Sequence, residues 1–313
     1  MVVAIRRGID AGATVALLGA LVCWATVPLA LRYLAVHAIV PDGWTSNAVR
    51  YPVSAILYIP WLIQAARDRR LRRLWWLAIL PTIPNIAGQT CWAWAPYYID
   101  AGLTLFIIRL SVVWAILLAI LVFPDERPLL RSGRFWAGMI LNIGGFLAIL
   151  LESDALHSRA TTIGVLISLA CSVMWGFYVV GVRSTISGIN PLSAFAVVSL
   201  YSSVAFLAMA PLGKPACLLQ MSLGDGTILL LSAVAGIAVA HGLYYIAVQR
   251  LGAMIPSTIN TMTPFLTAAV STILFQEVFT AKQWAGGVVA AVGSGLVILS
   301  QQNLRLSDRH SDK

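Results

Sequence analysis

The sequence predicts an all-α integral membrane protein with ten transmembrane helices, arranged as two inverted five-helix repeats. Three observations lead to this prediction. The 313 residues are 59% hydrophobic and 11% charged, with a mean hydropathy of +0.86, which is more apolar surface than a soluble domain can bury. Apolar runs of about 20 residues, long enough to cross a bilayer, recur along the chain. Matching residues also recur at a spacing near 150.

The predicted spans follow the apolar runs in order. They cover residues 12–34, 44–65, 75–98, 102–123, 134–151, 161–182, 192–211, 227–248, 253–275 and 284–301. Unpaired backbone groups are costly in lipid, so each run is predicted to be a helix rather than a strand. The first run is too long for a signal peptide and no small-residue cleavage site follows it, so it counts as a span.

Positive charge is sorted between the loops. With the N-terminus inside, the inner segments hold 15 Lys and Arg residues and the outer loops hold 3, Arg159, Lys214 and Lys282. The inner residues are Arg6, Arg7, Arg67, Arg69, Arg70, Arg72, Arg73, Arg127, Arg131, Arg134, Arg183, Arg250, Arg305, Arg309 and Lys313. This bias places both termini in the cytoplasm of a cell-membrane protein. It also argues against nucleic acid as a partner, despite the net charge of +9.

The sequence contains an internal duplication. "YYI" at 97–99 recurs at 244–246, and "WAG" at 136–138 recurs at 284–286, at offsets of 147 and 148. Three further residues recur at an offset of 151: Trp24 as Trp175, Arg32 as Arg183 and Glu126 as Glu277. We therefore expect repeats at 11–151 and 161–301, followed by a cytoplasmic tail at 302–313. Five spans is an odd number, so the second repeat enters the membrane from the opposite side, as in many secondary transporters.

These features resemble the drug/metabolite transporter superfamily, EamA type. The residues that carry the resemblance are "PDGWTSNAVRYPVSAIL" with its Arg in the second helix, and the Glu after helices 4 and 9 in "FPDER" and "LFQEVF". The resemblance covers residues 11–301 and implies a ten-helix carrier around a central cavity, often an exporter of amino acids or other small metabolites. Many members of the family have a proline in helix 4, at the place where helix 9 of this chain has "TMTPF". Helix 4 of this chain departs from that pattern, because it reads "RLSVVW" and has no proline there.

Two arginines lie inside predicted spans without a nearby acid. Arg50 is six residues past Trp44 and Arg109 seven past Gly102, in "GLTLFIIRLSVVW". Both helices enter from the outer side, so both arginines should lie about 10 Å below it and could face one cavity. Buried charge is costly and the guanidinium suits a carboxylate, which predicts an anion-binding pair. The alternatives are that Arg109 reaches outward to the surface, and that Arg50 packs against backbone carbonyls.

Six other residues are predicted to line the substrate cavity. They are Trp24, Trp175, Trp114, Gln89, His241 and Asn260. Aromatic walls with a few polar groups suit a small organic solute. The alternative for each is ordinary helix packing, and for His241 a hydrogen-bonded position in the interior. Arg32, at the outer end of helix 1, is expected at the membrane interface.

Acidic residues fall only in loops or at helix ends, so no carboxylate lies in the middle of a span. Glu126 and Glu277 are predicted to be structural, pairing with loop cations, or to act as gates that open and close. Pro264 in helix 9 removes one N–H and frees a backbone carbonyl. Eight helix glycines are predicted to permit close helix contact: Gly19, Gly138, Gly144, Gly145, Gly286, Gly287, Gly293 and Gly295.

Other function classes have weaker support in the sequence. No paired carboxylates, Ser–His arrangement within a turn or phosphate-binding loop indicates an enzyme, and no cofactor or metal is expected. The four cysteines form neither a disulfide framework nor a zinc motif. We expect a lipid bilayer and a small carboxylate-bearing solute as partners. A carrier of organic cations and a membrane scaffold remain alternatives, and the sequence predicts no oligomeric state.

Overall fold

The computed structural model describes residues 10–152, 158–186, 188–251 and 254–311, and these residues form helices and turns without strands. The first half contains α1 (Ala11–Val36), α2 (Gly43–Leu57), α3 (Ile59–Arg67), α4 (Leu74–Leu77), α5 (Ile79–Trp94), α6 (Ala101–Ile108), α7 (Ser111–Val122) and α8 (Gly133–Leu151). The second half contains α9 (Arg159–Thr185), α10 (Pro191–Met209), α11 (Leu223–Ala233), α12 (Ala240–Leu251), α13 (Met254–Asn260), α14 (Thr263–Phe275) and α15 (Ala281–Ser311).

Seven helical stretches in the described residues are long and apolar enough to cross a membrane. They are Ala11–Val36, Ala101–Val122, Gly133–Leu151, Thr161–Thr185, Pro191–Leu212, Leu223–Val248 and Ala281–Gln301. The other three predicted spans are present as pairs of shorter helices, α2 with α3, α4 with α5, and α13 with α14. The all-helical class is confirmed, whereas the count of ten spans stays a prediction.

Prolines explain the three interrupted spans. A proline has no N–H for the carbonyl four residues earlier, and its ring clashes with that carbonyl. Pro60, Pro81 and Pro264 follow helices that end at Leu57, Leu77 and Asn260 respectively. Each helix thus ends within one residue of the position where its i−4 bond would be lost.

The two halves pack through a pattern that is unchanged when the halves are exchanged. α2 packs on α10, α6 on α14 and α8 on α15, so that equivalent helices of the two halves meet. α5 packs on α9, and α1 on α12, which is the same contact with the halves exchanged. The duplication in the sequence is therefore matched by equivalent helix contacts in the structure. Each of these five interfaces joins one half to the other.

The contact between α8 and α15 depends on glycine. A Cβ on Gly138 or Gly145 would collide with the backbone of α15, and one on Gly286 or Gly293 with the backbone of α8. Asn142 donates to the carbonyl of Ala290, 3.1 Å away, across the same contact. For two other glycines the predicted close contact is wrong. Gly144 and Gly295 face open space, with no described atom within 4 Å of a Cβ placed on them.

The outer surface is apolar, and the interior holds buried polar side chains among its apolar core residues. Leu121, Ile140 and Ile273 are 69–78% exposed, whereas Arg50, Asn47 and Ser202 are buried. Large exposed apolar surfaces mark contact with a membrane or another protein. Along the length of apolar helices, the surface fits lipid tails.

Some predicted positions lie outside the described residues, namely Arg6, Arg7, Asp154 and Lys313. At the C-terminus, α15 continues to Ser311, ten residues beyond the predicted end of the tenth span at 301. The predicted tail at 302–313 therefore begins as a continuation of this helix.

Candidate functional site

Arg109 and Asn260 lie at two helix breaks, on opposite sides of the contact between α6 and α14. α6 ends at Ile108 and α7 begins at Ser111, while α13 ends at Asn260 and α14 begins at Thr263. At each break the chain tightens to an i−3 bond, from Leu110 N to Ile107 O and from Met262 N to Ile259 O. The fourth span thus breaks where the ninth does, although the fourth has no proline.

The two residues are equivalent in the duplication and contact each other. Arg109 Nη2 donates to Asn260 Oδ1, 3.2 Å away and 151 residues along the chain. The Thr263 hydroxyl also lies 2.7 Å from Asn260 Oδ1, which holds the amide in place. Arg109 therefore reaches into the other half, and outward extension to the surface does not describe this conformation.

The charge of Arg109 has no acidic partner among the described residues. Its Nε is buried and has no hydrogen-bond partner there. Tyr244 is its other electrostatic neighbour, and this tyrosine lies in the repeated "YYI". A buried guanidinium with an N–H donor that has no hydrogen-bond partner is suited to binding an anionic ligand.

An aromatic cluster lies next to Tyr244. The Trp24 ring lies 5.0 Å from the Tyr244 ring and 5.3 Å from the His241 ring. His241 stacks on Phe195 at 4.4 Å, and its Nδ1 lies 2.8 Å from the carbonyl O of Ile237. This is the hydrogen-bonded interior histidine considered above, and it faces Trp24.

Trp24 is held by an irregular turn of helix. Residues Val234–Val239 form a π-helix between α11 and α12, a distortion that often marks functional sites. Trp24 Nε1 donates to the carbonyl O of Gly236 in this turn, at 3.1 Å. The π-helix therefore connects α1 of the first half to the helix that carries His241 and Tyr244.

Arg50 belongs to a different polar cluster, between α2, α5 and α10. It is buried, and its Nη1 lies 3.5 Å from Asn47 Oδ1. Asn47 in turn donates to the Gln89 carbonyl O at 2.9 Å, and Asn85 donates to Ser202 Oγ at 2.9 Å. In the described part of the chain Arg50 and Arg109 share no hydrogen-bond partner. The structure does not bring the two arginines together as the predicted pair.

Two predicted cavity residues pack between helices. Trp175 lies against Trp92, with ring centroids 5.2 Å apart, and covers Gly88. Trp114 Nε1 donates to Ser172 Oγ at 3.1 Å. Both tryptophans join α9 to the first half. Trp24 and Trp175, although equivalent in the repeats, thus have different neighbours.

Glu126 and Glu277 pair with helix arginines of the opposite half. Glu277 Oε1 accepts from Arg32 Nε at 3.2 Å, and Glu126 Oε1 accepts from Arg183 Nη1. Both arginines lie in helices, Arg32 in α1 and Arg183 in α9, rather than in loops. Arg32 is likewise not simply interfacial, because it also bonds Asp100 and the Pro96 carbonyl. Burial, together with the charge of Asp100, raises the pKa of the Glu277 carboxyl.

Two cavities of this conformation lie beside residues of interest. One of about 20 Å³ lies beside Arg109, Thr261 and Pro264, enough for about one water molecule. Another of about 250 Å³ is lined by Arg183 and Gln301 among apolar residues of α7 and α9. No group of three or more metal-binding side chains occurs in the described residues, and all four cysteines are free.

The sequence prediction missed Tyr244 and the partners of the two glutamates. The repeated "YYI" and the equivalence of Arg32 with Arg183 were visible signals. They show that positions correspond, but not which positions touch.

Comparison with known proteins supplies the family. The model of the EamA-like transporter family matches twice, at residues 11–151 and 162–299. Among fourteen matching chains of solved structures, a crystal structure described only as that of a protein is 16% identical. It covers 93% of this chain and 98% of its own length, with a TM-score of 0.61. This likeness concerns the fold alone. No curated protein sequence matches significantly.

Proposed function

The chain belongs to the EamA-like transporter family, and from this premise we propose that it exports a small metabolite bearing a carboxylate, such as an amino acid. Membership and the apolar helices make it a multi-pass membrane transporter of a small molecule. The carboxylate, the outward direction and the alternating-access mechanism are the proposal.

One observation carries the substrate class. Arg109 holds a positive charge at the contact between the halves, where it bonds the amide of Asn260 and has Tyr244 as an electrostatic neighbour. Neither is acidic, and its buried Nε has no partner among the described residues. An uncompensated charge at membrane depth is costly, so sites of this kind are functional by default. A substrate carboxylate would supply the missing charge.

The neighbouring groups suggest how the solute is held. The carboxylate replaces the Asn260 amide on Arg109, and Trp24 and Tyr244 offer an apolar wall for the rest of the molecule. The present cavity of about 20 Å³ is too small for this. Binding therefore requires the halves to separate at one end. Because the packing is similar when the halves are exchanged, a corresponding separation can occur at the other end.

We propose ten spans in inverted repeats, with both termini cytoplasmic and the chain in the cell membrane. The sorting of 15 inner against 3 outer basic residues supports this orientation. A cysteine at Lys214 should react with a membrane-impermeant maleimide added to intact cells, and one at Arg72 should not. Labelling of Arg72→Cys alone would invert the proposed orientation.

The substrate class is tested in proteoliposomes loaded with amino acids, carboxylates, sugars, nucleosides and organic cations. Selective loss of carboxylate solutes is expected. Arg109→Gln should lower that loss at least tenfold, because the anion loses its charged partner, equivalent to about 1.4 kcal/mol. Arg72→Gln, which removes an exposed loop charge, is the matched control. Unchanged flux in a folded Arg109→Gln protein would contradict the anion site.

The aromatic cluster favours a second candidate, export of organic cations. The Trp24 ring lies 5.3 Å from the His241 ring and 5.0 Å from the Tyr244 ring, and aromatic faces attract cations. In that case the same assay would show selective loss of cations, and Arg109→Gln would raise their flux by removing a repulsive charge. Loss of no solute would favour the scaffold instead.

A further inference from the structure

Two ion pairs join the halves at opposite ends of the bundle. We call Arg32 with Glu277 the outer lock and Arg183 with Glu126 the inner lock, after their predicted membrane sides. The arginines are equivalent in the duplication and so are the glutamates, each at an offset of 151. In each lock the arginine and the glutamate belong to different halves. The same contact has thus been made twice, once at each end.

In both locks the glutamate carboxylate is buried. Glu126 is 0% exposed and Glu277 is 7% exposed, so neither carboxylate is well solvated while its lock is closed. Separating the halves at one end must break the pair there, and water then takes the place of the lost partner. A pair of this kind distinguishes a closed end from an open one, which an exposed ion pair does only weakly.

The inner lock also borders the larger cavity. Arg183 and Gln301 line the space of about 250 Å³, and Gln301 Nε2 donates to the second oxygen of Glu126 at 3.0 Å. Arg183 and Gln301, which both bond Glu126, therefore lie between this cavity and the lock. Breaking the lock would free these side chains to move.

The two locks differ in what each arginine keeps when its end opens. Arg32 also bonds Asp100 at 3.2 Å and the Pro96 carbonyl at 2.7 Å, and both lie in its own half. Arg183 bonds Asp125 at 2.7 Å and lies over the Phe123 ring, and both of these belong to the opposite half, as Glu126 does. Opening the outer end breaks one contact of Arg32, whereas opening the inner end removes all of these contacts of Arg183.

We propose that the two locks open alternately and that the outer lock opens more easily, so that the carrier without substrate rests with its inner end closed. The proposal rests on the proposed transport function for its purpose, but not for its test. It assigns Glu126 and Glu277 a gating role, each controlling one end.

The test measures access to each end in nanodiscs, where a maleimide reaches both faces. Ala101→Cys, buried at the start of α6 beside Glu277, reports the outer end. Val180→Cys, buried in the wall of the larger cavity, reports the inner end. Mass spectrometry follows alkylation at each introduced cysteine, with the native cysteines retained. Glu277→Gln should accelerate labelling of Ala101→Cys at least fivefold and leave or slow that of Val180→Cys. Glu126→Gln should do the reverse.

Glu152→Gln is the matched control. Glu152 pairs with Lys282 at 2.8 Å between the halves, but this pair is exposed and lies at the ends of α8 and α15, so no change is expected at either reporter. Glu277→Asp keeps the charge on a shorter side chain, and its labelling should fall between that of the wild type and that of Glu277→Gln. Thermal unfolding confirms that each variant is folded.

The locks would be overturned if Glu277→Gln or Glu126→Gln raised the labelling rate equally at both reporters or at neither. They would also be overturned if Glu152→Gln raised the labelling rate as much as these variants do. Faster baseline labelling at the inner than at the outer reporter would overturn the resting bias. These results are separate from transport. If the locks respond as expected and no solute leaves the proteoliposomes, then the proposed transport function fails while the locks stand. If solute leaves and the labelling does not respond, the locks alone fail.

Discussion

At the scale of single residues, the contact between Arg109 and Asn260 is the feature on which the substrate proposal depends. The amide oxygen lies 3.2 Å from the guanidinium, in the position that the proposal gives to the substrate carboxylate. An amide is a weaker partner for a guanidinium than a carboxylate. A substrate carboxylate can therefore displace Asn260, and a carboxylate built into the protein at this position would compete with the substrate.

Asn260→Asp is the direct test. The new carboxylate should form a permanent ion pair with Arg109, so carboxylate export should fall at least tenfold while the thermal stability is kept or raised. Asn260→Ser, which leaves a neutral acceptor, should retain more flux than the Asp variant. Efflux from proteoliposomes and thermal unfolding measure the two effects. Export at the wild-type rate by the Asp variant would place the site elsewhere.

At the scale of helices, the breaks at Arg109 and Asn260 have different causes. Pro264 accounts for the break in the ninth span. The fourth span breaks at the equivalent place with no proline, so the tertiary contact between α6 and α14, not the local sequence, maintains that break. The fourth span thus keeps the interrupted geometry of the ninth without its proline.

Val113→Pro tests this interpretation. Val113 lies in the first turn of α7, where an N–H has no i−4 partner within the helix, so proline should cost little there. We expect a melting temperature within a few degrees of the wild type. Ala115→Pro, two residues later, is the control and should destabilise by about 3 kcal/mol. Equal destabilisation by the two would indicate a continuous fourth helix.

At the scale of the whole molecule, the contact between α8 and α15 holds the halves together, and residues of both helices line the cavity beside Arg109. Gly145 meets the backbone of Gly286 and Ala290, and a backbone cannot turn aside as a side chain can. The Cβ of an alanine would therefore force the helices apart. The exposed ion pair between Glu152 and Lys282 adds little to this contact.

Gly145→Ala should lower the free energy of unfolding by about 1–3 kcal/mol, the usual cost of overpacking. Its neighbour supplies the control. Gly144 faces open space among the described residues, so Gly144→Ala should raise stability by about 0.5–1 kcal/mol through helix propensity. Thermal unfolding in one detergent compares the two. A stable Gly145→Ala protein would show that the helices can separate freely.

The sequence alone determined the class of protein and its symmetry. Composition indicates how much apolar surface must be covered by lipid, and the nearly constant offset between repeated residues, 147 to 151, indicates a duplication without any structure. Both are properties of the chain in one dimension. The family and the position of Arg109 within an apolar run followed from the same sequence.

The tertiary structure alone decided which side chains meet. Arg109 meets Asn260, 151 residues away, and Arg32 meets Glu277, 245 residues away, whereas Arg50 lies in a separate polar cluster. Sequence spacing places residues along a helix but does not set how helices from two halves rotate and cross. That choice depends on packing at the glycine contacts and helix breaks, where fractions of an ångström decide which groups touch.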